Sequence, residues 1–204
     1  MDVAREVPPK VLRQGRNRLG IGQIDLESEE AEDMAQALVL TFCLYHYREG
    51  DRTLLEKHLD EHPPDAGSPE AALRDALPSY RYALVEPLGP GDDEGLPCID
   101  LLRGEGLTLM DESLADTAQT RTVLGAGLLR PGDDFAMPTG AVLPATADAA
   151  EQIEAKLTKK LDGPLDEVDF GALSPHRQTD VAAVIVQECL RDGALQRISG
   201  KQAA

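Results

Sequence analysis

The stretch YRYALVEPLGPGDDEGLPCIDLLRGEGLTLMD, residues 80–111, decides the reading of the fold. On either side of it apolar residues recur every three to four positions; within it they come in short aliphatic runs cut by Pro, Gly and Asp. Runs of that kind bounded by turn formers are strands. Followed to residue 143, the pattern predicts five of them, at 81–86, 98–102, 107–111, 122–129 and 135–142. Arg103-Gly104-Glu105-Gly106 is expected to close a hairpin, because glycine reaches positive φ without steric cost. Pro-Gly-Asp-Asp occurs at 90–93 and again at 131–134, and Pro-Gly suits the central positions of a type II turn. Five short strands with such turns predict a small antiparallel β module, barrel-like or strongly curved. Gly125-Ala126-Gly127 lacks the third glycine of a phosphate loop and reads as close packing or a bulge within a strand.

Helical patterns frame this module, so the fold class is α+β. Before it, the spacing of Met34, Leu38, Phe42 and Tyr45 predicts a helix from about Glu27 to Arg48, with Gly50 as its stop. Thr53 and Glu56 have capping-box spacing ahead of Leu54, Leu55 and Leu59, and Pro63-Pro64 ends that helix. Ser68-Pro69 opens a short helix over 70–77. After the module, Asp148 and Glu151 read as another capping box before Ile153, Leu157 and Leu161, with Gly163-Pro164 as terminator. Residues 166–173 read as a connector. Ser174-Pro175 starts the last helix, whose buried stripe is Val181, Val184, Ile185 and Cys189. The expected organisation is a flexible basic arm at 1–22, helical regions at 23–78 and 146–204, and the β module at 79–145. The chain from Gln196 onward is expected to fray.

Composition narrows the function classes. A hydrophobic fraction of 42% in 204 residues is enough to bury roughly 70% of the unfolded surface. Aromatics are 3% and Trp is absent, which leaves few rings for stacking on bases or sugars. Residues 1–18 hold five basic against two acidic residues, a local +3, so the rest of the chain carries −20 of the net −17. A surface so acidic repels phosphate backbones, which argues against direct nucleic-acid binding. Acids spaced like phosphates along one face would instead mimic nucleic acid. Three widely separated cysteines, Cys43, Cys98 and Cys189, do not make a disulfide framework and point to a reducing cytoplasm. Residues 1–20 lack the apolar core of a secretory leader, and the apolar pattern at 35–47 is too short and interrupted to span a bilayer. The expectation is a cytoplasmic protein with no membrane segment.

The residues that could carry chemistry form no complete motif. Asp100, Glu105 and Asp111, with Glu112 and Asp116 beside them, are the candidate acid–base pairs of a carboxylate-based or metal-assisted hydrolase. His58 and His62 lie four apart on a predicted helix and are the candidate metal ligands, with Glu61, Cys43 or His46 as supplements. There is no C-x-x-C and no H-E-x-x-H. The turns at Asp92-Asp93-Glu94 and Asp133-Asp134 offer oxygen ligands for calcium or magnesium, although Asp is common in turns because it bonds nearby backbone. Ser113, Ser174 and Ser199 lack a nucleophile elbow. No cofactor is implied.

The run 41–47, then Arg52-Thr53-Leu54-Leu55-Glu56-Lys57-His58-Leu59, Tyr80-Arg81-Tyr82-Ala83-Leu84-Val85-Glu86 and Ile99-Asp100-Leu101-Leu102-Arg103-Gly104-Glu105, followed by the strand pair at 124–129 and 135–140, resembles an uncharacterised family of bacterial cytoplasmic proteins. Many of its members carry a terminal SEC-C motif, a small cysteine-rich zinc-binding element. The likeness covers roughly residues 35–145, and Asp100-Leu101-Leu102-Arg103-Gly104-Glu105 is its most specific part. The zinc element itself has no counterpart in this sequence, so no metal ligands carry over. In relatives that element looks like the tail of a secretion ATPase that contacts protein partners and the ribosome, and contacts of that kind are what the resemblance implies. These readings favour a non-enzymatic interaction or regulatory protein, with the β module and an acidic face as its binding surface. The hydrolase and the nucleic-acid mimic are the alternatives. Ala-rich helical stripes suit a homo-oligomer as well as a core.

Overall fold

The computed structural model describes residues 3–26, 28–93, 95–111, 114, 122–132 and 135–198. Helices α1 (Pro9–Arg18) and α2 (Glu29–His46) come first, then a two-stranded ribbon, β1 (Arg48–Glu49) and β2 (Arg52–Thr53), and helices α3 (Leu54–Glu61) and α4 (Pro69–Ala76). The β module follows as β3 (Arg81–Pro87), β4 (Leu96–Asp100), β5 (Glu105–Leu109), β6 (Val123–Leu129) and β7 (Met137–Ala145). Helices α5 (Ala147–Leu161), α6 (Pro175–Arg191) and α7 (Ala194–Ile198) close the described chain. The α+β class and the curved antiparallel sheet read from the sequence are what the structure has. No helix among the described residues is long and apolar enough to cross a membrane.

The five strands are ordered β5-β4-β3-β6-β7, all antiparallel. The sheet curls until its two edges meet at one end: Met110 N–H donates to the Ala136 carbonyl at 2.9 Å, and Ala136 N–H to Thr108 at 2.8 Å. It is not a closed barrel. Its concave side has its own small core of Ala83, Val85, Leu96, Cys98, Leu109, Leu124, Ala126, Leu128 and Ala136. Three alanines in that set allow the tight curl, because a rolled sheet has little room between its walls. The other side packs on α2, α6 and α7, while α1 lies outside α2 and α5 outside α6. Helices from before and after the module share this larger core, so the two helical regions are one layer rather than separate units. Pro138 and Pro144 both lie in β7, an edge strand, where a missing donor interrupts no ladder on the open side.

Gly125 is where the helical layer meets the sheet, and Gly127 makes room for Tyr80 and Thr139. A Cβ on Gly125 would lie 2.8 Å from Ile185 Cγ2 and 3.0 Å from Cys189 Sγ of α6; one on Gly127 would lie 2.8 Å from the Tyr80 hydroxyl. The β6–β7 register shifts between these two glycines, so close packing and a bulge both occur. Gly125→Ala is expected to cost about 1–3 kcal/mol by overpacking, read as a lower denaturant midpoint with an unchanged slope.

Several local expectations are replaced. Of the expected flexible arm at 1–22, the described residues 3–22 are packed: Val7, Val11, Leu19 and Ile21 are buried, and Pro9 occupies the first turn of α1. Gly15 lets α1 approach α2 so closely that a Cβ there would sit 2.5 Å from Cys43 Sγ. Helix α2 starts at Glu29 on a Ser28 cap, whose hydroxyl accepts from Ala31 N–H at 3.2 Å, and ends at His46. Gly50, φ +67°, turns the β1–β2 ribbon instead. The capping box of α3 is as expected, with Thr53 Oγ1 accepting from Glu56 N–H at 3.2 Å and Glu56 accepting from Thr53 N–H at 2.6 Å.

Helix α5 is capped by Thr146 rather than Asp148, because Asp192 holds Thr146 by its amide at 2.8 Å and its hydroxyl at 2.9 Å. The β4–β5 turn lies at 101–104, two residues earlier than expected. Asp100 makes the difference: its carboxylate accepts from Leu102 N–H at 3.1 Å and its carbonyl from Arg103 and Gly104 N–H. Gly132 does not have positive φ, so Pro131-Gly132 forms no type II turn; the first loop reverses at Gly95, φ +114°. The expected fraying from Gln196 gives way to α7, where Arg197 donates to the Pro144 carbonyl at 2.8 Å; residues 199–204 lie outside the described residues.

Candidate functional site

The candidate carboxylates divide into a coupled pair and a distant one. Asp100 and Glu105 face each other across β4 and β5, an arrangement of like charges that is unfavourable unless a cation joins them. Arg81, the first residue of β3, is that cation: Nη1 donates to Glu105 at 3.2 Å and Nη2 lies 3.4 Å from Asp100. Arg103, from the turn that Asp100 folds, donates to the same Asp100 carboxylate at 2.9 Å. The Asp100 side chain is 0% exposed and that of Glu105 is 52% exposed. Two guanidiniums therefore bracket one buried carboxylate. Asp111 stands beyond the far end of β5 and accepts from Leu114 N–H at 3.1 Å. Glu112, Asp116, Ser113 and Ser199 lie outside the described residues, as do Glu94, Asp133 and Asp134 of the acidic turns. The third serine, Ser174, caps α6 by accepting from Arg177 N–H at 3.4 Å.

Beside the arginines is a chamber of about 30 Å³ lined by His46, Tyr80, Arg81, Tyr82, Arg103, Phe170, Leu173, Gln178 and Val181. Four segments build it: the end of α2, the start of β3, the β4–β5 turn and the chain entering α6. Arg103 lies over the Phe170 ring, 5.0 Å from its centroid, a cation–π contact that holds its plane. Burial lowers the Arg103 pKa from its usual value, opposed by the charge of Asp100. Among the described residues the hydroxyl of Tyr82 and the Nε and Nη2 of Arg81 are buried without a hydrogen-bond partner.

His46 forms the floor with Tyr80. Burial and then the charge of Arg18 lower the His46 pKa to about 3, and burial raises that of Tyr80. The phenol and a neutral imidazole therefore share a hydrogen bond, at 3.3 Å to Nε2, whose direction the imidazole tautomer sets. Tyr80 also stacks on Tyr45, with centroids 4.1 Å apart. The folded pKa of His46 lies below the unfolded value of 6.5, so the unfolded chain binds the extra proton between the two. Its contribution is complete above about pH 6.5 and is lost as pH falls towards 3, by up to about 4 kcal/mol. His46→Gln is expected to flatten the fall in stability between pH 6 and 4, measured by urea unfolding at each pH. An unchanged slope would show that other groups carry it.

The candidate metal ligands do not converge. The His58 and His62 rings are 4.7 Å apart, but His58 Nδ1 meets Glu6 at 2.7 Å and His62 Nδ1 meets the His58 carbonyl at 3.2 Å. Cys43 instead donates to the Val11 carbonyl, and His46 belongs to the chamber. Among the described residues no three His, Cys, Asp or Glu side chains gather as a cation would need. All three cysteines are buried free thiols, and burial raises their pKa to about 11 for Cys43 and about 12 for Cys98 and Cys189. Thiols in that state are poor nucleophiles at neutral pH.

A larger cleft of about 320 Å³ runs between α1 and α2, lined by Leu12, Arg13, Arg16, Gln36, Ala37, Val39 and Leu40. Leu12, Val39 and Leu40 make it apolar, and Gly15 lets the two helices lie close. Arg13 and Arg16 form one rim, and neither has an ion-pair partner among the described residues.

The sequence reading missed Arg81, Arg103 and Tyr82, which no motif marks. One signal was present: a lone Arg between two tyrosines at the head of an otherwise buried strand. Neither a family model nor a curated protein nor a solved structure matches this chain.

Proposed function

We propose that this chain is a non-enzymatic interaction protein, and that the α1–α2 cleft receives an apolar, acid-bearing segment of a partner protein. The observation behind this reading is the basic, apolar-floored cleft on a chain of net charge −17. At about 320 Å³ it has the size of a binding groove. Its arginines match the charge of a partner's carboxylates. The binding surface is thus the helical layer rather than the β module. The hydrolase reading loses support because Asp100 and Glu105 are already neutralised by arginine, which leaves no poised acid–base pair between them.

A photoreactive residue at Ala37, exposed on the cleft wall, tests the proposal in the protein's own cells. One reproducible protein adduct is expected, lost in the double variant Arg13→Glu, Arg16→Glu. No adduct, or one that the charge reversal leaves intact, overturns the reading. An adduct with a second copy of the chain would replace the partner with a homodimer.

A further inference from the structure

We propose that the chamber under Arg81 and Arg103 is a binding site for a small organic monocarboxylate. This goes beyond the α1–α2 cleft and does not depend on it.

The first ground is charge. Arg81, Asp100 and Arg103 sum to one net positive charge in a region where Asp100 is fully buried. Glu105 offsets this only from a half-exposed position, where solvent screens it. Among the described residues the screened Glu105 is thus the acid that balances the second guanidinium, and an anion in the chamber would add a less screened counter-charge.

The second ground is unmet hydrogen bonding. Nε and Nη2 are the two atoms of the side edge of a guanidinium, the edge that meets a carboxylate with two parallel N–H donors. In Arg81 these two atoms have no hydrogen-bond acceptor, even though Nη2 lies 3.4 Å from Asp100. Tyr82, 8% exposed, lines the same chamber and its hydroxyl also lacks a partner. Buried polar groups are seldom left so, because each costs free energy.

The third ground is size and lining. A space of about 30 Å³ holds one or two waters, or the three heavy atoms of a carboxylate head. Phe170, Leu173 and Val181 offer apolar surface for a short hydrocarbon tail, and Gln178 adds an amide at the wall. A phosphate, which carries more charge and a tetrahedral set of oxygens, fits this planar fork and small volume less well.

The test is a titration of the full chain with propionate against chloride and phosphate at fixed ionic strength. It is followed by the nitrogen–proton signal of the Arg81 side chain and by the melting temperature. Propionate is expected to shift the Arg81 signal saturably and to raise the melting temperature, with chloride and phosphate doing neither. Tyr82→Phe removes a hydroxyl that bonds nothing, so the fold should be kept while propionate binds about fivefold more weakly. Equal responses to propionate and chloride would overturn the proposal, as would unchanged propionate affinity in Tyr82→Phe. A chamber that holds only water would give no saturable shift in the wild-type chain, which settles the matter even where a variant folds poorly. The Arg13→Glu, Arg16→Glu double variant should bind propionate normally, which separates failure here from failure at the cleft.

Discussion

Asp100→Ala is expected to lower stability by about 3–5 kcal/mol and the melting temperature by about 10 °C. Two losses combine. The carboxylate neutralises Arg81 and Arg103, and its removal leaves two buried or half-buried guanidiniums facing each other. The same carboxylate accepts from Leu102 N–H and so shapes the β4–β5 turn. Asp100→Asn separates these effects, because the amide oxygen can still accept from Leu102 while the charge is gone. It should retain part of the stability if the turn matters and almost none if charge dominates. Glu105→Ala, which removes a half-exposed partner of Arg81, should cost at most about 1 kcal/mol. Urea unfolding of the three variants gives the comparison. If Asp100→Ala and Glu105→Ala cost the same, the buried cluster does not organise this end of the sheet.

Gly95→Ala is expected to cost about 2–4 kcal/mol, although it adds a single methyl, because Gly95 is buried where the β3–β4 loop enters β4. At φ +114° the backbone lies outside the left-handed helical region that Asn and Asp tolerate. A Cβ there would sit 2.7 Å from the Leu109 carbonyl oxygen, and a backbone atom within a ladder has nowhere to move. Leu109 and Met110 are also where the curled sheet meets Ala136, so the strain should spread to that junction. Hydrogen exchange at Met110 and Ala136 is expected to quicken by more than the global loss of stability explains. Gly104→Ala is the control. Its φ of +66° lies in the left-handed helical region and open space surrounds it, so about 1 kcal/mol is expected. Equal costs at the two glycines would sink the idea that Gly95 pins the curl.

The elements legible in advance were those set by neighbours in the chain. The Thr53–Glu56 box, the Ser68 and Ser174 caps and the apolar stripe of α6 are contacts across three or four residues, readable from spacing. The misplaced elements share a different trait. Asp192 overrode Asp148 at the start of α5 from 46 residues away in sequence. The cysteine that meets Gly15 is on another helix, so the packing of α1 could not be seen in a run of arginines. In the candidate site, Asp100 and Glu105 stood out only as acids. Their partner Arg81 lies about twenty residues earlier, and no periodicity connects it to them.

Strand and helix identity, the antiparallel curved module and its helical frame follow from hydrophobic period and turn chemistry, which act over a few residues. The chamber, the bracketed carboxylate and the basic cleft arose when α1, α2, β3, the β4–β5 turn and α6 came together. Charge, burial and hydrogen-bond satisfaction depend on distances in space, and residues far apart along the chain acquire those distances only by folding.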